Sequence, residues 1–493
     1  MAGISRRVRF FIVAAGALSA SGITPLVHAT EPPPIHYDIG LDLKQGDLDA
    51  ITVRATLRSG DDGIVDFTPP DQPPVDVYVE RGTLDTSTPD RWRVTTSPHA
   101  EVVLAWRTAR PQPLDWSKWD IFHPHMLGGP GAMFAFGGAL LARPKGPTTR
   151  PASSTVTLPE GWHTVGASES PIKTVDDIWL TSYLVARHLT LTTRRIGTAT
   201  TLQVGALGGQ PRDAEKIADL IASTLLLVDR NVTLPSLLTV NVLNFDEGTG
   251  YGSTATGTSA TLLITPGVPS PPWSFEVIRQ FASAGTAQGG TANAWFTRGF
   301  AGYRVASALR TEGKLDRVDF ARHVNDILGK YGGSPFRRTS NAGLVEEAPR
   351  VYEAQQLPGA RGELFAWLID ARLREATQGR KQLADALNRM DIQTPDPGPA
   401  LIAAVAAEGG GDITPLYQRY IVDGELLQLP TDTLGPCYSI GTVAYDYGWQ
   451  EQHVFAKPPT LCVGTDSSAT GNVGADSSAK SQRSDDEAAP NRR

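Results

Sequence analysis

The chain has 493 residues, which at ~150 residues per domain leaves room for about three domains. Hydrophobic residues make up 40% and charged residues 20%, with 49 Gly and 37 Pro; this is a turn-rich globular composition and excludes a disordered or collagen-like chain. A formal charge of −7 excludes the basic surplus of a dedicated nucleic-acid binder, and two cysteines exclude a disulfide scaffold or a Cys-rich metal cluster.

Residues 1–29 read as a secretory leader. Arg6, Arg7 and Arg9 form a positive start, Phe10 to Ala20 an apolar stretch, and Val27-His28-Ala29 a cleavage site with small residues. Ser5-Arg6-Arg7 resembles a twin-arginine start, but Arg9 stands where that signal wants an apolar residue, so general secretion is expected. No cysteine follows the site to take a lipid, and no later apolar run reaches the ~20 residues of a membrane-spanning helix. The expected destination is the periplasm, with no membrane insertion. In that oxidising compartment Cys437 and Cys462 are expected to pair.

From about Ile35 to Leu158 short runs such as 51–57, 75–79 and 102–106 alternate between Pro, Gly and Asp punctuation, which predicts a sandwich-like β domain over 30–163. Within it, His125 to Gly138 is rich in Gly and Met without the context of a phosphate loop, and reads as close backbone packing. Residues 164–272 mix strands (188–192, 238–243, 260–265) with a helix over 213–228, whose stripe is Ile217, Leu220, Ile221, Leu225 and Leu226. Residues 273–425 read as helical, with starts near Ser274, Ala294, Asp316, Gly362, Arg380 and Pro399. A small β-like segment over 426–465 lies around the two cysteines, and the Ser-, Ala- and Asp-rich stretch 466–493 reads as a disordered tail. The expected fold class is multi-domain α+β.

Residue by residue, the chain holds no His-Glu-x-x-His, no Gly-x-Ser-x-Gly and no Walker loop. The one close histidine pair, His123 and His125, lacks the third ligand that zinc wants and reads as loop packing. Glu346-Glu347 reads as solvated charge.

The passage Trp295-Phe296-Thr297-Arg298-Gly299-Phe300-Ala301-Gly302-Tyr303 resembles the Trp-x-x-Glu-Gly-Phe-x-x-Tyr signature of gluzincin aminopeptidases. Gly362 to Thr377 resembles the long helix of the M61 glycyl-aminopeptidase family, Tyr417 to Gly424 its closing helix, and Gly250 to Ser259 its Gly-Gly-Leu-Glu-His edge strand. The resemblance covers residues 35 to 425. It implies a thermolysin-like mixed subdomain between the N-terminal β-sandwich-like domain and the helical C-terminal domain. No room is left after Gly424 for the PDZ domain common in that family.

Such enzymes hold zinc with two histidines one helical turn apart and a Glu from the next helix, while a Glu beside the first His acts as base. The motif's spacing, applied backwards from Arg298, falls on Phe275-Glu276-Val277-Ile278-Arg279. Glu276 keeps the base position, but Phe275, Arg279 and Arg298 stand at the ligand places. A second register puts Arg279, Gln280 and Ser283 at the key places and offers no better ligands. A guanidinium stays protonated and has no lone pair for Zn²⁺. The edge-strand Glu that would hold a substrate amino group corresponds to Thr254 or a neighbour. The oxyanion tyrosine normally precedes a Lys-Gly pair; the matching stretch is Gly359-Ala360-Arg361-Gly362, with Tyr352 the nearest tyrosine.

The expectation is therefore a secreted M61 peptidase-like protein that is not an enzyme, carries no cofactor, and keeps its cleft for a peptide or other anionic ligand through Arg279, Arg298 and Thr254. Two alternatives stay open: an active zinc aminopeptidase with unrecognised ligands and Glu276 as acid–base group, or a structural or assembly partner. Glu276 can equally be an ordinary helix acid paired with Arg279 or Arg298.

Overall fold

The structure is a computed structural model and describes residues 33–462 apart from 109–111, 114–125, 130, 148–149, 166–172, 210, 229–233, 246–250, 257, 265–271, 285–289, 349–350, 392–393 and 445–449. The leader, the His123/His125 pair and the 466–493 tail lie outside the described residues.

The N-terminal part is built from three sheets. A six-stranded sheet runs in the order Lys173–Thr174, Pro151–Thr157, Ile35–Lys44, Asp47–Arg58, Glu101–Thr108, Pro74–Val79, and only Ile35–Lys44 with Pro151–Thr157 is parallel. Alternation turns Val53, Ala55 and Leu57 inward while Arg54 and Arg58 face solvent. A four-stranded sheet (Arg143–Pro144, Ile64–Thr68, Arg91–Thr95, Thr83–Thr88) and a five-stranded one close the core, in which Phe67, Trp92, Trp106, Met133 and Tyr183 meet. The expected sandwich-like β domain is thus present as a sheet-rich domain.

The Gly-rich stretch differs in part from its reading. Leu127–Gly129 and Ala132–Phe136 are paired strands, turning at Gly131 with φ 72°. Close packing holds at the end of the stretch, where a Cβ on Gly138 would lie 1.9 Å from Trp179 Nε1. Strand Ser182–Ala186 pairs with Ala132–Phe136, and Trp162, Val175 and Ile178 belong to the N-terminal core, so packing changes over between Val185 and Ile196. The expected boundary at 164 takes no account of these pairings.

The next sheet carries the candidate site. Its order is Leu189–Ile196, Thr200–Leu207, Leu237–Asn244, Ser259–Ile264, Tyr251–Thr256: the three central strands are parallel and both edges antiparallel. Helix Pro211–Val228 makes the crossover and buries Ala214, Ile217, Ala218, Ile221 and Leu225. The segment compared with the family's edge strand is itself the edge strand, Tyr251–Thr256.

The remainder is mostly helical. Asp316 caps helix Arg317–Gly332, accepting from the Val318 and Asp319 amides at 2.8 Å each. Asn341–Glu347, capped by Ser340, was not anticipated and places Glu346 and Glu347 in a helix. The long helix starts at Tyr352, ten residues before Gly362, and runs to Ala376 through Pro358. Proline withdraws one backbone donor and costs about 3 kcal/mol inside a helix. Burial of Leu357, Ala360, Leu364 and Phe365 on that helix offsets the cost. Hairpin Tyr438–Ala444/Gln450–Ala456 docks on the Arg317–Gly332 helix, where Asn325 receives the Val454 amide at 2.7 Å and donates to its carbonyl at 3.0 Å. No helix among the described residues is long and apolar enough to cross a membrane.

Candidate functional site

Helix Pro272–Ala284 packs beside the edge strand and sends Val277, Ile278, Phe281 and Ala282 into the core. Phe275, Arg279, Gln280 and Ser283 are left half-buried. After the short helix Ala294–Thr297, Arg298 leads into helix Gly299–Thr311. The signature residues here act by packing. Trp295 stands edge-on to Phe296 and Phe300 at 5.6 and 5.7 Å, and Tyr303 donates its buried hydroxyl to Asp370 at 2.8 Å. Gly299 and Gly362 let two backbones touch: a Cβ on Gly362 would lie 1.8 Å from the Trp295 carbonyl oxygen, and one on Gly299 2.5 Å from Gly362 C.

That contact sets the geometry of the site. A Cβ on Gly359, one turn before Gly362, would lie 3.3 Å from Arg298 Cβ and 3.6 Å from Arg279 Nη1. The stem of Arg298 and the Arg279 guanidinium, both put in ligand positions by the sequence reading, therefore border the same glycine of the long helix. Arg298 Nη1 also donates to the Gln355 carbonyl at 3.1 Å.

One turn further along, Glu363 is 1% exposed and bonds His323 Nε2 at 2.6 Å. Its other oxygen fills the space that Gly302 leaves, since a Cβ there would meet Glu363 Oε2 at 2.1 Å. The Phe275 ring lies 4.1 Å from the His323 ring, tilted by 45°. Sequence reasoning missed His323 and Glu363. The available signal was the spacing of Gly299 with Gly302 and Gly359 with Gly362, two pairs of small residues that mark close helix approach.

The remaining expected residues divide. Glu276 sits on the Pro272–Ala284 helix, Thr254 on the edge strand and Tyr352 at the start of the long helix, with their side chains outside the described residues. Arg361 is not part of the hollow; it is 1% exposed, gives one bond to the Arg337 carbonyl at 3.2 Å, and burial lowers its pKa from the ordinary guanidinium value.

Zinc is the group that the family resemblance implies, and the residues at its ligand places do not fit it. Phe275 has no donor, and Arg279 and Arg298 offer no lone pair. His323 and Glu363 are spent on each other, and among the described residues no three His, Cys, Asp or Glu gather as a metal-holding group. A guanidinium stays charged at any ordinary pH, so Arg279 and Arg298 bring permanent positive charge to this part of the long helix.

Cys437 and Cys462 lie near one another as half-buried free thiols. The expected pairing partners are together, and no disulfide joins them in this structure.

A sheet-rich N-terminal domain, a mixed sheet with an antiparallel edge and a helical C-terminal part together make an aminopeptidase-like fold. Similar solved structures are an aminopeptidase N family protein from Idiomarina loihiensis, at TM-score 0.61 and 16% identity over 83% of this chain and 79% of that one. A variant of the M1 zinc metallopeptidase from Deinococcus radiodurans follows at TM-score 0.50 and 14% identity, over 81% and 95% of the two chains. A two-domain M1 zinc metallopeptidase variant bound to L-arginine matches at 0.51 and 14%, also over 81% and 95%. No protein-family model matches the chain, and no curated protein matches it.

Proposed function

We propose that this chain is a secreted, catalytically inactive relative of the M61 and other gluzincin aminopeptidases that has exchanged zinc for an anion-binding pocket. The observation behind the reading is that the Arg298 stem and Arg279 Nη1 both border Gly359 on the long helix. An active site of this type gathers a dication and acidic ligands; here the same helices bring two guanidinium groups instead. A peptide carboxylate, either a chain terminus or an acidic side chain, matches their planar donors best. In this reading Thr254, which belongs to the edge strand beside the Pro272–Ala284 helix, contributes to the same cleft.

The test uses the purified mature protein. Elemental analysis is expected to find no stoichiometric zinc, and glycyl and alanyl substrates to be turned over negligibly. A peptide with a free carboxylate should bind more tightly than its C-terminal amide, and Arg279→Ala/Arg298→Ala should abolish that preference while the fold is kept. About one zinc per chain, with a chelator-sensitive rate that vanishes in Glu276→Gln, would overturn the reading in favour of a working metallo-aminopeptidase. Equal binding of acid and amide peptides at low salt would remove the arginine pocket from it.

A further inference from the structure

The two thiols are chemically unequal, and their surroundings say how. Arg317, the first residue of the sixteen-residue helix Arg317–Gly332, holds Nη1 at 2.9 Å from Cys462 Sγ and bonds the Lys457 carbonyl with the same nitrogen at 3.1 Å. Cys437 packs against the helical core, and its carbonyl accepts from the Lys457 amide at 2.8 Å. Cys462 follows exposed Leu461, at the end of the chain segment that returns from the hairpin. A guanidinium within hydrogen-bond reach of one sulfur makes that sulfur the resting place of a negative charge. The other sulfur is shielded by apolar packing.

We propose that Cys437 and Cys462 form a thiol–disulfide exchange site in which Cys462 is the nucleophile and Cys437 the resolving thiol, with small-molecule disulfides as the co-reactant class. The Cys462 thiolate attacks one sulfur of the external disulfide, forming a mixed disulfide and expelling the other half as a thiolate. Cys437 then gives its proton to solvent and attacks Cys462 Sγ. That forms the Cys437–Cys462 bond and expels the second half as a thiolate, and solvent protonates both expelled thiolates. Two electrons pass from the protein dithiol to the external disulfide, which leaves as two thiols. The direction of the titration shifts agrees with this division. The neighbouring Cys437 thiol lowers the Cys462 pKa from the ordinary thiol value and Arg317 lowers it further, while burial first and then the nearby Cys462 raise that of Cys437. The charged and titratable groups facing the pair are Arg310, Arg317, Lys457 and Tyr438.

Oxidised glutathione and limiting iodoacetamide, applied to the reduced full-length mature chain, test this. Peptide mapping is expected to show Cys462 alkylated about tenfold faster than Cys437. Cys437→Ser should accumulate a glutathione mixed disulfide on Cys462, whereas Cys462→Ser should react sluggishly. Arg317→Gln should slow Cys462, and Arg317→Lys should restore most of the rate, which separates charge from a loosened hairpin. Equal alkylation of the two thiols, faster reaction at Cys437, or an unchanged Cys462 rate in Arg317→Gln would overturn the assignment.

Discussion

Alanine at Gly362 and alanine at Gly359 are expected to have different consequences, although the two positions are three residues apart on one helix. In both, replacing glycine inside a helix gains about 1 kcal/mol of backbone propensity. At Gly362 the new methyl would stand 1.8 Å from the Trp295 carbonyl oxygen and 2.6 Å from its carbon, both rigid backbone atoms. An ordinary carbon–oxygen contact needs about 3.3 Å, so the Tyr352–Ala376 helix would have to withdraw by about 1.5 Å from the turn that carries Arg298. Overpacking of this kind costs about 1–3 kcal/mol and more where only backbone can yield, so a net loss of about 2 kcal/mol or more is expected. At Gly359 the nearest atom is Arg298 Cβ at 3.3 Å, followed by Arg279 Nη1 at 3.6 Å, and a shift of a few tenths of an ångström suffices. That variant should stay within about 1 kcal/mol of the parent. Urea unfolding followed by tryptophan fluorescence reads both differences. If Gly362→Ala unfolds at the same urea concentration as the parent, the close contact of the two helices does not set the geometry of the site.

Two further outcomes follow from particular residues. The triple substitution Phe275→His/Arg279→His/Arg298→Glu should create a zinc site from the existing helices, measured as about one zinc per chain where the parent binds none; a failure in a folded variant would refute the register that places those three residues together. Arg93 grips Asp66 with two hydrogen bonds of 2.7 and 2.8 Å and holds its carboxyl below the ordinary carboxylate range. Because the folded pKa is depressed, the pair stabilises fully above that range and its contribution fades as pH falls through it. Asp66→Asn should accordingly lose less stability than the parent between about pH 5 and pH 3 in thermal melts; parallel pH profiles would sink the idea.

Much of the mixed sheet and of the capped helices was readable because each residue there obeys a local rule. The 238–243 run, the 260–264 strand residues and the Asp316 cap appear where patterning and capping chemistry put them, and the 213–228 stripe buries Ile217, Ile221 and Leu225, half-buries Leu220 and leaves Leu226 exposed. Where local rules misled, a tertiary contact had won. Pro358, Gly359 and Gly362 argued against an early start for the long helix. Yet the helix passes through all three, because its neighbours bury it and the glycines admit the Trp295 backbone. The strands Leu127–Gly129 and Ala132–Phe136 hid in a glycine-rich text: the first carries two glycines, and the second is apolar throughout and buried almost to its end, so neither alternates.

The site was legible in a different way, through what it lacks. A resemblance in the frame around Arg298 gave the expected ligand positions, and at two of them Arg279 and Arg298 both border Gly359. The His323–Glu363 pair could not be found in this manner, since no motif joins a histidine of one helix to a glutamate forty positions away. Its position nonetheless bears on the reading of the pocket. Phe275 lies against the His323 ring, Glu363 orients that ring, and Gly302 makes the room for Glu363. Phe275 thus has a seat built from three other helices. That seat and the closeness of both arginines to Gly359 meet on one element, since Glu363 lies one turn beyond Gly359 on the Tyr352–Ala376 helix.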